Sequence, residues 1–164
     1  MTLYHLCELL EKTAFGSAIR DSSWLFPAIE SVHVLGIVVL VGSTGLFDMR
    51  LLNTGFLRNQ RASDVAKQVM PWVWGSFSVM FVTGVLMFSS EATRCYQSWF
   101  FRLKLILLVL AGLNAFIFEF GAYRGIANWD EATAKAPRGA RFAAWASLLL
   151  WVFIVFAGRG IAYY

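Results

Sequence analysis

Glu30 and His33 are the pair in this chain whose residue types and spacing point most directly to chemistry. Three apart, they share one face of a helix and can pair. They stand inside Trp24–Phe47, an apolar stretch long enough to cross a bilayer, and no ionisable side chain separates His33 from Asp48. An ionisable group at such depth costs about 2.5 kcal/mol or more unless it is paired, ligating or facing a cavity. Imidazole is the commonest metal ligand, and a carboxylate often holds its second nitrogen. Ligation of a metal or haem by His33 is one expectation. Proton or ion transfer through Glu30, His33 and Asp48 or Glu119 is another. A buried histidine hydrogen-bonded to a carboxylate also has a purely structural reading.

Several other groups fall near His33 in depth. Ser76, Met80, Thr83 and Met87 share one face of the next apolar stretch, and Gly36 sits one helical turn after His33. Gly36 removes side-chain bulk beside the imidazole, where a flat ring or a neighbouring helix would fit. Arg102 and Lys104 open the third apolar stretch on nearly opposite helix faces, so one faces the bundle and the other snorkels toward headgroups. Met80, Met87 and His33 would suit Cu(I), since thioether and imidazole are soft enough for it. A methionine stripe is also ordinary core filling. A b-type haem needs one or two strong axial ligands, usually His, sometimes His with Met. With two histidines in the chain, His5 and His33, one haem is feasible and a four-histidine pair of haems is not. His5 would serve only if its own segment folded inward. No CxxC, CxxCH or HExxH motif occurs.

Four apolar segments must position these groups, each near the 20 residues a spanning helix needs. They are 24–47, 72–89, 101–118 and 142–162. Each must be helical, because an open strand in lipid leaves backbone groups unpaired. Trp24, Trp72, Trp74, Trp99 and Trp145 lie at or near the predicted ends, as an aromatic belt requires, and Trp129 falls in a loop. Pro27 and Pro71 fall in or near first helical turns, where a missing N–H costs little. Gly42, Gly45, Gly84 and Gly112 suit close helix packing. At 1.5 Å per residue, His33 lies roughly 13 Å inside Trp24. Lys104 and the Met80–Met87 stripe then occupy the same half of the bundle.

Composition agrees with a membrane protein. The 164 residues are 59% hydrophobic and 15% charged, against about 25% charged in soluble domains. No basic block or aromatic-basic interleaving suggests nucleic acid, so the basic excess reads as loop charge near headgroups. The loops 48–71 and 119–141 carry eight Lys and Arg residues and the other side carries six. That bias places both termini outside, which in a bacterium is the periplasm. Residues 2–19 read as an amphipathic helix lying on the surface, with Leu3, Leu6 and Leu10 at helical spacing, and not as a secretory signal, whose apolar run Glu8 and Glu11 would interrupt. Arg61–Met70 reads as a second interfacial helix. Cys7 and Cys95 fall on one side, where a disulfide would be permitted.

The stretch His33-Val-Leu-Gly-Ile-Val-Val-Leu-Val-Gly-Ser, followed by Asp48-Met-Arg-Leu-Leu, resembles an uncharacterised family of bacterial four-helix membrane proteins. Trp72-Val-Trp-Gly-Ser-Phe, Thr83-Gly, Phe101-Arg-Leu-Lys-Leu, Gly112-Leu-Asn-Ala and Ala157-Gly-Arg-Gly extend the likeness over most of the chain. The His-then-Gly first helix and the Thr-Gly…Leu-Lys…Leu-Asn second and third helices are distantly similar to two other families. These are the copper-resistance D family and the haem-dependent four-helix protoporphyrinogen oxidase. That resemblance implies a haem or copper site in the outer half of the bundle, with His33 and Lys104 at the matching positions. Where the uncharacterised family is expected to carry a histidine near the end of the third helix, this chain has Glu119.

The expected architecture is an all-α integral membrane four-helix bundle over 1–164, with an N-terminal interfacial amphipathic helix, in the bacterial inner membrane. The expected role is electron transfer by one haem b, with quinone or a partner protein as redox partner. In it His33 is the axial ligand, Glu30 its hydrogen-bonded carboxylate, and Met87 or Met80 a weak sixth ligand. Lys104 or Arg20 would neutralise a propionate. The competing expectations are a copper-handling or transport protein, and a cofactor-free subunit of a homo-oligomer or larger complex.

Overall fold

A computed structural model describes residues 2–128, 130 and 135–163. Its first two helices replace the single surface helix expected over 2–19: α1 (Leu3–Glu11) and α2 (Ala14–Asp21). The break falls at Thr13, whose hydroxyl accepts from Gly16 N and so caps a new helix. Then follow α3 (Leu25–Leu51), α4 (Ala62–Ser90), the short α5 (Ala92–Gln97), α6 (Trp99–Phe120) and α7 (Arg138–Gly160). No strand occurs among the described residues. Helices α3, α4, α6 and α7 are long and apolar enough to cross a membrane.

The predicted spans survive with shifted ends. Helix α4 starts ten residues before Trp72, absorbing the separate interfacial helix expected at Arg61–Met70. Pro71 therefore sits inside a helix and not in its first turn. Its ring removes the hydrogen bond that Lys67 O would accept. That carbonyl lies on the polar side of Trp72, where water can satisfy it. Trp129 lies outside the described residues.

The bundle is apolar on its outer surface as well as along its seams. On α3, the buried positions His33, Gly36, Leu40, Phe47 and Leu51 recur at spacings of three, four and seven. Val65, Val69, Ser76 and Thr83 recur at four and seven on α4. These two seams interlock as antiparallel knobs and holes. Large apolar side chains such as Leu35, Val38, Phe81 and Phe156 point outward instead, as lipid-facing residues do. Gly84 and Gly45 approach His33 and Leu148, whereas nothing lies within 4 Å of a side chain built at Gly42 or Gly112. Close packing thus accounts for two of the four glycines expected to provide it.

Helices α1, α2 and α5 close the end of the bundle that carries the N-terminus. Glu11 of α1 accepts from Thr93 N at 2.8 Å and Thr93 Oγ1 at 2.7 Å, fastening α1 to α5. Gly16 lets α2 press on the end of α4, because a Cβ there would lie 2.7 Å from Ser89 O. Cys7 and Cys95 are free thiols, so the permitted disulfide is not formed. Burial, reinforced by Glu91, pushes the Cys95 thiol up to about 11 despite nearby Lys104 and Arg94. It stays protonated and unreactive at neutral pH.

At the opposite end, Asp130 accepts from Ser63 N at 3.0 Å and from the Ser63 hydroxyl, fastening the loop before α7 to the start of α4. Burial alone would raise this carboxyl. The Ser63 and Ala62 hydrogen bonds and the Arg61 charge outweigh it and hold the group below its usual range. A depressed carboxylate contributes stability above its unfolded value, about 3.9. That contribution disappears as pH falls through the lower folded value. Wild type is expected to lose thermal stability as pH falls below about 4 partly through this group. Asp130→Asn should reduce that pH dependence while leaving the remaining acids to titrate, as melting in detergent across this range would show.

Candidate functional site

His33 is buried at the α3–α4 seam, and α4 supplies its partner. Its Nδ1 lies 2.8 Å from Thr83 Oγ1. The Thr83 hydroxyl has one proton, which it donates to Val79 O at 2.7 Å, one turn back in its own helix. With that proton on Val79 O, the hydroxyl accepts Nδ1–H from His33, the tautomer that leaves an Nε2 lone pair with no hydrogen-bond partner among the described residues. Imidazole held by one nitrogen with the other free is the arrangement of a metal-ligating histidine.

Glu30 does not take part. It is exposed on α3 and makes no hydrogen bond to His33, contrary to the pairing its spacing suggested. Helical spacing finds neighbours on one helix. A rigid seam with α4 offered a closer hydroxyl, and Glu30, near the start of α3, gains hydration by turning outward. Arg20 is likewise not brought to the site: it is exposed on α2 and pairs with Asp21, Nε to Oδ1 at 3.3 Å. His5 is exposed on α1 beside Glu8, 3.5 Å from its Oε2, so it is no second ligand in this arrangement.

Three other expected residues do converge on the same half of the bundle. Met80 packs against Gly36, its Sδ 3.3 Å from the point where a Gly36 side chain would begin. The open slot expected beside that glycine is thus filled by a thioether, one turn from the imidazole. Met87 is half-buried on the same face of α4, beyond Thr83. Lys104 turns inward from α6, with Nζ 3.7 Å from the same point on Gly158, and its charge acts on His33. Arg102 turns outward over the Tyr96 ring and donates to Tyr96 O at 2.9 Å. The two cations therefore divide as their spacing predicted.

Two residues were not singled out as partners from the sequence. Thr83 was visible on the Ser76–Met87 stripe, but a stripe shows which residues share a face and not what lies across from it. Gly84, 3.5 Å from His33 Cε1 at its Cβ position, admits the imidazole edge. Among the described residues no group of three or more His, Cys, Asp or Glu side chains converges. A site here must rest on one histidine with thioether, lysine and backbone neighbours. Two clefts elsewhere are not lined by His33. One is a polar hollow of about 570 Å³ at Asn59–Gln68, and the other an apolar groove of about 320 Å³ between α6 and α7.

Comparison with known proteins gives one match, to the model of a family of unknown function, DUF6644, over residues 18–164. No curated protein and no solved structure matches.

Proposed function

From the premise that the chain belongs to the DUF6644 family of unknown function, we propose that it is a membrane b-type haem protein that passes electrons. The observation that carries this reading is the buried contact of His33 Nδ1 with Thr83 Oγ1 at 2.8 Å. A buried imidazole that gives Nδ1–H to Thr83 would have Nε2 left to hold the iron. The resemblance of the His-then-Gly helix and the Lys104 helix to haem-dependent and copper-resistance families supports it further.

His33 is the residue that would hold the iron, and Thr83 would fix its ring. Lys104, inside the bundle without a carboxylate beside it in any ion pair among the described residues, suits a propionate. Met80 and Met87 would offer a weak sixth ligand, and binding would require Met80 to yield the space beside Gly36. Bound haem would supply one-electron redox chemistry. The chain contributes ligation, charge neutralisation and exclusion of water. The redox partner is a membrane quinone or another protein, and the setting is a bacterial inner membrane with both termini periplasmic.

The thioethers beside His33 also favour copper over other metals as a second reading, because His and Met together select Cu(I). Iron and copper content per purified chain separates the two. About one iron and no copper is expected, and copper without iron would reverse the assignment. Thr83→Val removes the acceptor of Nδ1–H while keeping shape, and should weaken haem retention about 10- to 100-fold. Thr83→Ser should restore most of it. Equal retention in all three proteins would show that Thr83 does not orient a ligand.

A further inference from the structure

The half of the bundle away from His33 holds a second buried ionisable group. Asp48 lies fifteen residues further along α3, roughly 22 Å at 1.5 Å per residue. It is 6% exposed, beside a core in which Phe47 and Leu51 of α3 join Ala140 and Ala144 of α7. Its hydrogen-bonding neighbour is Ser147 of α7. Oδ2 is fully buried and reaches no donor among the described residues.

Among the described residues no counter-charge acts on it. Arg50, two residues on, donates from Nε to Gln60 O, and the acid that acts on it is Asp130. From α4 the buried positions at this depth are Val65, Ala66 and Val69, and α6 brings Phe118 against Phe47. From α7 comes Ser147, which carries no charge. No titratable side chain of these helices acts on Asp48 among the described residues. An ionised carboxylate here would give up its hydration for one hydroxyl. A neutral acid instead shares its proton with Ser147 and leaves a carbonyl oxygen unpaired, the backbone analogue of which is the more tolerated orphan.

We propose that Asp48 and Ser147 form a proton-binding site. Asp48 stands as the neutral acid in the resting protein and exchanges its proton with the aqueous phase at this end of the bundle. Water or hydronium there supplies the proton to a carboxylate oxygen and takes it back, with no other bond made or broken. The path is short, because Asp48 is three residues from the end of α3, about 4.5 Å along the axis. Intramembrane acids facing a bundle interior serve as proton relays in this way. The site stands apart from the haem reading and does not require it.

Infrared spectroscopy of the protein in lipid vesicles tests it. At neutral pH, wild type should show a protonated-carboxyl C=O stretch that is absent in Asp48→Asn, moves in D₂O and shifts in Ser147→Ala. Raising the pH should remove the band reversibly. Asp48→Asn should melt at the wild-type temperature, because an amide reproduces the neutral acid. If Asp48→Asn does not fold, the Ser147→Ala shift carries the assignment alone. Identical spectra for wild type and both variants at neutral pH would overturn the proposal. So would a band indifferent to D₂O and to pH, since it would mark a sealed proton.

Discussion

On the proposed haem reading, replacing His33 by alanine is expected to strip the protein of haem. Retention in the purified variant should fall at least tenfold, while the helical content of the variant stays at the wild-type level. His33 is the imidazole that the α3–α4 seam buries, and with Nδ1 against Thr83 Oγ1 its Nε2 has no hydrogen-bond partner among the described residues. No other residue can take its place. His5 is exposed on α1, and thioethers such as Met80 serve as weak axial ligands. The helices persist because their seam continues through Leu40, Phe47 and Leu51 with Val65 and Val69. The cavity left by the ring sharpens the test. His33→Gly with added imidazole should recover haem, because free imidazole can enter beside Gly84 and supply the missing nitrogen. A variant that keeps full haem occupancy without imidazole would show that His33 is not the ligand.

The second large effect concerns stability. Arg50 is 0% exposed at the end of α3. Its Nε donates to Gln60 O, tying the helix end to the turn before α4. Arg50→Ala empties a large volume and strips that carbonyl of its charged donor. The expected cost, from the cavity and the unpaired carbonyl, is about 3–5 kcal/mol. In a protein of this length that corresponds to a fall in melting temperature of roughly 10 °C. Arg50→Lys should recover only part of it, because lysine has no Nε–H of the guanidinium to donate to Gln60 O. Arg58, exposed in the same turn, serves as control, and Arg58→Ala should melt with wild type. Thermal melting in detergent followed by circular dichroism reads both. Equal melting of the Arg50 and Arg58 variants would remove Arg50 from the architecture.

The four crossings were legible because lipid leaves few solutions: about 20 apolar residues, helical, with tryptophans at the rims. The ends were less so. Hydropathy marks where hydrocarbon stops and not where hydrogen bonding stops, so α4 runs ten residues past Trp72 and carries Pro71 inside it. The surface segment broke into α1 and α2 through a Thr13 cap that apolar spacing does not register.

At the site, depth was readable and pairing was not. Helical rise placed His33, Lys104 and the methionines in one half of the bundle, and the fold brings Lys104 and Met80 there. The Glu30–His33 pair failed because i to i+3 spacing only permits a contact, while the register between α3 and α4 decides it. That register sets His33 against Thr83 and Gly36 against Met80. Asp48 was visible as a lone acid, but its burial beside Ser147 depends on α7, more than 90 residues away in sequence.

The account stands most directly on a reduced-minus-oxidised absorption spectrum of the wild-type protein purified from membranes. It predicts the Soret and visible bands of a b-type haem, reversible on reduction, with iron in proportion to chain. A flat difference spectrum from well-folded protein grown with ample iron and haem precursor would contradict it, leaving His33 and Thr83 as a hydrogen bond that holds two helices together.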